Sequence, residues 1–520
     1  MVRLASGADP LAAARRARHR AGVVTAEPNI VFSPMEVVPT DPYFAEQWAL
    51  RNTGQLHDIA DPPPLSASGT TDADVDATDA WATSTGSADT VIAVIDSGID
   101  LANPDLASSL WTNPGEVPAN GIDDDANGYV DDVEGWDFEA DDAVPEDTEG
   151  HGTHIAGIIA AGMNGAGTVG ICPGCRIMVL KTDLSLGQET QAIAYAIDNG
   201  ADIVNASYGS PFFSLLELKS FEALATNGIL SVVSAGNEKG NNDMSLGDAN
   251  RNGFFDAPVF PASLDVPGLI SVAASNDHDQ YAFATGCAIA TGGAPACAFT
   301  NRGHDSVDLA APGTDILSTV VGGYAVEDGT SMSAPYVSGI AGLVKSLHPT
   351  YSVIQLRNAV LNGVDHPTAL ADGGTATDGR ANAALSLGAS TATSVALSSG
   401  NVSTARTVHG KVRGRLGYPT NINDVYAARL RRGVRYGATL RVPVGKDFDL
   451  YVWKPGTHQI WQFEPGCDGF GGCRWLLTSS TGGKGKDERI SFRARKSGTY
   501  YLQVTSWYSS GRYGLALGRL

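Results

Sequence analysis

The sequence predicts an α/β protein with a doubly wound, mainly parallel sheet, joined to an all-β sandwich at its C-terminal end. After residue 90, short apolar strands alternate with helical stretches, an order typical of a parallel sheet covered on both faces. Near residue 389 a stretch rich in Ser, Thr and Ala ends this alternation, and short strands with Gly and Ser turns follow. A chain of 520 residues exceeds what one hydrophobic core supports, so at least two folded units are expected.

The elements of the parallel sheet are predicted from apolar runs and from helical periodicity. The predicted strands cover 91–95, 177–180, 202–205, 230–234 and 269–273, and the predicted helices between them cover 154–161, 188–199 and 215–227. An N-terminal helix over 11–20 and a strand over 22–32 precede them. In sheets of this kind, functional sites form where the strands end, at their carboxyl edge.

The C-terminal unit is predicted from three stretches in which apolar and polar residues alternate. They cover 449–453, 490–494 and 499–504 and are separated by turns of Gly and Ser, a pattern typical of a β-sandwich. Its aromatic residues suggest either a binding face or core packing, and core packing is the more common role. The four tryptophans concerned are Trp453, Trp461, Trp475 and Trp507.

Charge divides the chain at the same boundary. Asp and Glu outnumber Lys and Arg by 50 to 15 in residues 1–400, whereas Lys and Arg outnumber Asp and Glu by 20 to 7 in residues 401–520. The acidic part is a poor partner for nucleic acid, so no such partner is expected. No apolar run approaches the roughly 18 residues that span a bilayer, and none follows the N-terminal arginines as a signal peptide requires.

The six cysteines form three local pairs, which indicates an oxidising compartment. Cys287 with Cys297 and Cys467 with Cys473 each bracket a Gly-rich loop and are interpreted as disulfides. The third pair lies in the sequence Cys172-Pro-Gly-Cys175, for which a short disulfide is favoured over two free thiols. Half of a zinc site is the weakest alternative, because no second Cys or His pair follows at a suitable distance.

Four motifs carry the chemistry. Ser331 lies on a tight turn of small residues (328–335) before a predicted helix over 336–347, where the helix dipole favours developing negative charge. Asp96 follows a buried strand, His151 stands between two glycines at the start of a helix, and Asn237 follows another strand. Catalysis by a serine nucleophile needs a base, an acid that orients the base, and a donor to the oxyanion. These four side chains supply one of each.

These motifs resemble those of the subtilisin family of serine proteases. The matching stretches, in uninterrupted order between about residues 41 and 387, are 94–99, 151–157, 207–209, 234–237 and 329–335. The order Asp, His, Ser is that of subtilisin, a standard worked case of the triad. The resemblance implies that Ser331 attacks a peptide carbonyl to form an acyl-enzyme and that His151 is the general base. Asp96 would orient His151, and the Asn237 amide with the Ser331 backbone N–H would hold the oxyanion.

The same resemblance implies where substrate binds. Ser207, Tyr208 and Gly209 would pair with the substrate backbone as an added strand. Ala235 and Gly236 would line the primary specificity pocket opposite that strand. A broad preference for large apolar side chains is expected. Lys239, where many relatives have glycine, is a departure from the family pattern and leaves charge selectivity open.

Two loops have the spacing of an EF-hand calcium loop. The first places oxygen ligands at loop positions 1, 3, 5, 9 and 12 with glycine at position 6, and its ligand residues are Asp123, Asp125, Asn127, Asp131 and Glu134. The second repeats positions 1, 3, 5 and 9 with Asp248, Asn250, Asn252 and Asp256. The alternative for each is a pair of Asx and Gly turns. By resemblance to the family, Asp41, Asp105 and Asn164 form a third, tight calcium site, so structural Ca²⁺ is the expected cofactor.

The resemblance also divides the chain into four parts. Residues 1–38 resemble the remnant of an inhibitory propeptide, 39–388 the catalytic domain, 389–402 a linker, and 403–520 the bacterial pre-peptidase C-terminal domain. The expected protein is a secreted, extracellular, monomeric serine endopeptidase stabilised by calcium, with protein substrates and its own propeptide as partners.

Two other functions fit the same scaffold. One is a catalytically inactive binding protein, which the four filled catalytic positions do not favour. The other is a sedolisin-type acid peptidase, in which acidic residues take the roles of His151 and Asn237. An α/β-hydrolase is disfavoured because the Ser331 motif lacks the second glycine of a nucleophile elbow.

Overall fold

A computed structural model describes most of the chain. The described residues are 10–18, 20, 22–26, 36–55, 69–243, 257–282, 299–392, 405–408, 410–416, 423–457, 476–482, 484–506 and 510–520. By compactness the chain separates into residues 1–36 and residues 37–520. In the first unit, helix α1 (Pro10–Arg18) confirms the predicted N-terminal helix, whereas residues 22–26 are not in a strand and the rest of that predicted strand lies outside the described residues.

The second unit contains a large sheet with helices on both faces. Its helices are α2 (Ala77–Trp81), α3 (His151–Ala160), α4 (Leu186–Asp198), α5 (Leu215–Thr226), α6 (Thr330–Leu347), α7 (Val353–Asn362) and α8 (Ala383–Gly388), with a short 3₁₀ turn at Phe44–Glu46. Its strands are β1 (Val91–Asp96), β2 (Gly135–Asp137), β3 (Arg176–Lys181), β4 (Ile203–Ala206), β5 (Leu230–Ser234), β6 (Leu269–Ser275), β7 (Leu309–Pro312), β8 (Ile316–Val320), β9 (Gly323–Glu327), β10 (Val364–Asp365) and β11 (Arg380–Ala381).

The strand order in this sheet is β10-β11-β7-β6-β5-β4-β1-β3-β2. Every neighbouring pair is parallel except β10 with β11, and β8 and β9 form a separate hairpin. The doubly wound, mainly parallel sheet predicted from the sequence is therefore confirmed.

Alternation along the central strand explains the two layers of helices. In β1, Ile92 and Val94 join the core under α3 and α6, whereas Ala93 and Ile95 join the core under α4 and α5. Because successive side chains of a strand point to opposite faces, a fully buried strand needs apolar residues at every position. Such runs made the central strands predictable from sequence.

The described residues between 405 and 520 form the predicted sandwich. One sheet contains β12 (Arg406–Thr407), β14 (Asn423–Leu430), β19 (Gly498–Ser506), β16 (Phe448–Trp453) and β17 (Leu476–Ser480), and the other contains β13 (Lys411–Leu416), β20 (Gly511–Arg519), β15 (Arg435–Arg441) and β18 (Glu488–Arg493). Trp453 is buried and its indole donates to Gln503 at 3.0 Å, so this tryptophan packs inside the domain. The other three tryptophans of the predicted aromatic set lie outside the described residues.

Three helices begin earlier than the sequence predicted: α4 begins at Leu186 rather than at residue 188, and the other two carry catalytic candidates. α3 begins at His151 rather than at residue 154, and α6 begins at Thr330 rather than at residue 336. Both shifts bring a predicted catalytic side chain into the first turn of a helix. Within the described part of the chain, no helix combines the length and apolar character needed to cross a membrane.

Candidate active site

The carboxyl edge of the sheet brings together residues that are far apart in sequence. β1, β4 and β5 are parallel, and their register places Ile95 beside Ala206 and Ala206 beside Val233. The residues that follow, Asp96, Ser207 and Ser234, therefore end side by side. Loops leaving this edge carry Asn237 and the start of the substrate strand predicted from sequence.

His151 is held against this edge by Asp96. The His151 Nδ1 and Asp96 Oδ1 atoms are 2.7 Å apart, and the Ser97 backbone N–H donates to the same carboxylate oxygen at 2.8 Å. The Asp96 side chain is 1% exposed and the imidazole is 34% exposed. With Asp96 ionised, Nδ1 is the protonated donor, which leaves Nε2 free to act as a base.

A glycine allows this close approach. A Cβ atom at Gly152 would lie 2.2 Å from the Gly98 carbonyl oxygen and 3.2 Å from the Asp96 Cβ atom. Any larger residue there would push the first turn of α3 away from β1 and lengthen the contact between His151 and Asp96.

The pKa of His151 is raised to about 9. Burial acts to lower this pKa, but the charge of Asp96 and its hydrogen bond to the ring outweigh burial, and the charges of Glu327 and Asp147 add to their effect. Glu327 lies on β9, outside the motifs that sequence analysis singled out. A free enzyme in which His151 is the base therefore loses activity as pH falls through the region around 9, because the imidazole becomes protonated.

Ser331 lies in the first turn of α6 and faces the same edge. Its Oγ atom donates to the Ser207 carbonyl at 3.1 Å, and the Ser207 hydroxyl donates back to the Ser331 carbonyl at 2.9 Å. Among the described residues, no hydrogen bond joins Ser331 to His151. Attack on a carbonyl from this state requires the Ser331 side chain to rotate away from Ser207 and toward the imidazole.

The Asn237 side-chain amide and the Ser331 backbone N–H both face the space beside Gly329. The Asn237 Oδ1 atom accepts from the Thr330 backbone N–H at 3.0 Å and from the Thr330 hydroxyl at 2.9 Å, so the Nδ2 group faces the other way. A Cβ atom built on Gly329 would lie 3.5 Å from the Ser331 nitrogen and 3.7 Å from Asn237 Nδ2. These two N–H donors border a space beside Gly329 that suits an oxyanion.

The predicted substrate strand has free backbone groups. It is anchored at one end by Ser207 on Ser331 and at the other by reciprocal 2.8 Å backbone hydrogen bonds between Ser210 and Phe260. Between these anchors, the N–H and C=O groups of Tyr208 and Gly209 make no backbone hydrogen bond to a described residue. Such an edge can accept an extended peptide.

Ala235 and Gly236, which were predicted to line the specificity pocket, follow β5 at the same carboxyl edge of the sheet. Ala235 is fully buried, and the Gly236 N–H donates to the Thr330 hydroxyl at 3.2 Å. A Cβ atom at Gly236 would lie 2.6 Å from a Glu238 carboxylate oxygen, which itself accepts from Asn301 at 2.7 Å. Sequence analysis noted Lys239 but missed Glu238, whose carboxylate borders this glycine.

His154 is not part of the candidate catalytic group of Asp96, His151, Asn237 and Ser331. Its Nε2 atom lies 3.0 Å from the Ile316 carbonyl oxygen, and burial lowers the pKa of the ring to about 4. His154 is therefore a neutral side chain that ties α3 to the β8–β9 hairpin.

The third predicted calcium site has an unsatisfied carboxylate. Asp41 Oδ1 accepts from the backbone N–H groups of Asn164 and Gly165 at 3.0 and 2.9 Å, whereas Asp41 Oδ2 is buried and accepts no hydrogen bond from a described residue. Asp105 is fully buried and accepts from the Thr168 N–H at 2.9 Å. A buried, unpaired carboxylate oxygen is costly unless a cation neutralises it, so these residues fit a calcium ion.

The first predicted calcium loop brings together only part of its predicted ligands. Carboxylate oxygens of Asp123 and Asp125 lie within 4.8 Å of each other and of one from Glu116, which sequence analysis missed. The Asp131 carboxylate accepts from the backbone N–H groups of Asn120 and Gly121 instead. The remaining predicted ligands are not gathered at this cluster. The Asn127 amide donates to Asp125 and Asp132, Glu134 precedes β2, and the whole second loop (Asp248, Asn250, Asn252, Asp256) lies outside the described residues.

The Cys172-Pro-Gly-Cys175 stretch forms a disulfide. Cys172 and Cys175 are bonded, with their Cα atoms 5.5 Å apart, and both are buried against the core beneath α6. The short disulfide favoured from sequence is therefore confirmed, and a zinc ligand role for this pair is wrong. The pairs Cys287/Cys297 and Cys467/Cys473 lie outside the described residues.

Comparison with known proteins identifies the family. The sequence profile of the Subtilase family matches residues 87–407, more than half of the chain, so the chain belongs to this family. The match includes the Asp96, His151, Asn237 and Ser331 motifs. It ends at residue 407, so the resemblance of residues 403–520 to a pre-peptidase C-terminal domain stays a prediction.

Individual relatives are proteases by name. Subtilisin-like protease 1 of Plasmodium berghei is 33% identical over 298 residues, which cover 55% of this chain and 48% of that protein. Subtilisin E of Bacillus subtilis is 32% identical over 273 residues, covering 51% and 58% respectively. The chain thus spans about half the length of the curated relatives it matches. A solved protease structure from Pseudoalteromonas arctica aligns with 68% of this chain and 99% of that chain at 23% identity, with a TM-score of 0.47.

The raised pKa of His151 leads to a test of pH dependence. We expect Glu327→Gln to shift the acidic limb of kcat/KM toward lower pH, because removing a nearby negative charge destabilises the imidazolium. The measurement is a pH profile of peptide hydrolysis for wild type and variant. Glu149→Gln is the matched control, since Glu149 is exposed and lies two residues before His151, so this change should leave the profile in place. A pH profile that Glu327→Gln leaves unchanged would contradict the claim that Glu327 raises the pKa of His151.

Proposed function

We propose that the protein is a secreted serine endopeptidase that hydrolyses peptide bonds through an acyl-enzyme. The observation that carries the proposal is the 2.7 Å contact between His151 and Asp96 beside Ser331, at the edge where a backbone strand is open to substrate. Membership of the Subtilase family supports the same reaction. The buried Cys172–Cys175 disulfide supports an oxidising, extracellular location.

The proposed reaction begins when Ser331 Oγ attacks the substrate carbonyl carbon. His151 Nε2 takes the hydroxyl proton, while Asp96 stabilises the resulting imidazolium through Nδ1. The oxyanion is held by the Ser331 N–H and Asn237 Nδ2 beside Gly329. His151 then gives its proton to the leaving amine. Water repeats the sequence on the acyl-enzyme, and the acid leaves with Ser331 restored.

Substrate is positioned as an added strand along residues 207–209. The residue whose carbonyl is attacked enters the space beside Ala235 and Gly236. The proposed specificity is broad, with a preference for large apolar side chains at this position, and the Glu238 carboxylate borders Gly236 there. Residues 1–38 are proposed to be the remnant of an inhibitory propeptide.

The proposal is tested by active-site labelling. A fluorophosphonate probe is expected to label wild type in calcium buffer and to leave Ser331→Ala unlabelled, because the probe reacts only with an activated hydroxyl. Ser333→Ala is the matched control. Ser333 is buried two residues away and its hydroxyl makes no hydrogen bond to a described residue, so this variant should label normally.

The inactive binding protein is the alternative that this experiment separates. Absence of labelling in folded wild type, with the melting temperature showing an intact structure, would favour the alternative over the protease.

Calcium is proposed as a structural cofactor. Asp41, Asp105 and Asn164 would hold one ion, and Glu116, Asp123 and Asp125 would hold a second. When bound, an ion at the first site would neutralise buried carboxylate oxygens and link segments distant in sequence, and an ion at the second would neutralise three carboxylates of one loop.

Removal of calcium is therefore expected to lower stability. At a free concentration 100 times its Kd, one ion adds about 2.7 kcal/mol, so a chelator should lower the melting temperature by roughly 5 °C or more. Asp41→Asn and Asp123→Asn should each abolish part of this chelator-sensitive shift. Asp89→Asn, at an exposed position away from both sites, should retain all of it. A wild-type melting temperature unaffected by chelator refutes calcium binding.

A further inference from the structure

Two buried glutamates lie where apolar side chains would be expected. Glu189 occupies the first turn of α4 and is 4% exposed, and Glu217 occupies the first turn of α5 and is 7% exposed. Each lies on the inward face of its helix, in line with Ala192 and Ile193 in α4 and with Phe221 in α5. Buried carboxyls are rare unless they are paired, so these two need an explanation.

Helix capping does not provide that explanation. Glu217 is the third residue after the N-cap Ser214, the position from which a glutamate can bond back to the N-cap N–H. In α7 the equivalent residue, Gln355, does make this bond to Ser352. In α5 the Glu217 side chain turns inward instead, and its Oε2 atom is buried without a hydrogen-bond partner among the described residues.

The two carboxyls meet at the substrate strand. The Tyr208 hydroxyl donates to Glu189 Oε1 at 2.9 Å, and the charges of Glu189 and Glu217 both act on Tyr208. Tyr208 lies between Ser207, which touches Ser331, and Gly209, where an added Cβ atom would lie 2.7 Å from a Val259 methyl group. Successive side chains of an extended strand alternate in direction, so Tyr208 points away from Ser331 and toward α4 and α5.

Exposed apolar side chains, here called the apolar rim, lie at the starts of the two helices that carry these carboxyls. The first turns of α4 and α5 and the loops before them expose five large apolar side chains, between 40% and 69% of each. They are Leu184, Leu186, Phe212, Leu215 and Leu216. Exposed apolar side chains on the two helices that bury these carboxyls fit a ligand with a long apolar stem and a polar end.

The carboxyls favour a cation thermodynamically. Burial raises the pKa of Glu189 to about 7 despite its hydrogen bond from Tyr208, and burial with the charge of Glu189 raises the pKa of Glu217 to about 8. Each carboxylate is therefore costly to ionise in the empty site. A bound cation offsets that cost, whereas a bound apolar or anionic group does not.

We propose that Tyr208, Glu189 and Glu217 form an acidic subsite that selects a Lys or Arg side chain of the substrate, upstream of the bond that is cleaved. The stem of that side chain lies along the apolar rim, and its charged end reaches the two carboxyls. The inference rests on the proposed endopeptidase function, because it assigns a specificity to the same substrate strand.

The test uses internally quenched peptides that differ at one upstream position. Lys is compared with norleucine, which keeps the stem and lacks the charge, and the position is moved through the residues before the cleaved bond. At one position, wild type is expected to prefer Lys by about tenfold or more in kcat/KM, the scale of a desolvated charge pair. Glu217→Gln is expected to reduce this ratio toward one, and Glu189→Gln serves as a second variant if the first is unstable.

Glu222→Gln is the matched control. Glu222 lies on the same helix, on its outer side, and pairs with Lys219 at the surface, so the ratio should stay at the wild-type value. A ratio of one or below at every position in wild type, or a ratio that both subsite variants leave unchanged, would overturn the proposal.

Binding separates this proposal from the proposed function. Ser331→Ala should bind the Lys peptide about tenfold more tightly than the norleucine peptide, measured by fluorescence anisotropy. If wild type cleaves nothing while this difference persists, the protease function fails and the subsite stands. If wild type cleaves peptides without any preference for Lys, the protease function stands and the subsite proposal fails.

Discussion

The hydrogen bond between Asp96 and His151 is the interaction on which the site depends. It joins the end of the central strand to the first turn of α3, across 55 residues of sequence, at a distance of 2.7 Å. Its geometry requires a buried carboxylate, a glycine at 152 and the parallel register of β1 with β4. The same bond sets the tautomer of His151 and raises its pKa, so fold and chemistry are coupled at one contact.

The sequence predicted the parts of the fold that local pattern determines. Continuous apolar runs identified the central strands, because only strands buried on both faces lack polar positions. Short elements were missed, among them β8 and β9, whose side chains are mixed in character. The helix starts at His151 and Thr330 were placed too late. Both helices begin in glycine-rich motifs that lower helix propensity, and tertiary packing overrides that preference here.

The residue types of the candidate site were predictable from the sequence, whereas the contacts between them were not. Asp96, His151, Asn237 and Ser331 stood in motifs, whereas Glu327, Glu116 and Glu238 stand in none and enter only because the chain brings them near. Glu189 and Glu217 were invisible for another reason. A glutamate in the first turn of a helix is ordinarily a solvent-facing residue that favours the dipole, and only the structure shows both carboxyls turned inward.

Titration of His151 by NMR tests the control of this residue by Asp96 most directly. In Ser331→Ala, which removes the nucleophile and leaves the contact between His151 and Asp96, the imidazole should titrate with a pKa of about 9. With Asp96→Asn added, the pKa should fall by well over one unit, because burial then acts without the opposing charge. Equal pKa values in the two proteins would contradict the claim that Asp96 controls His151.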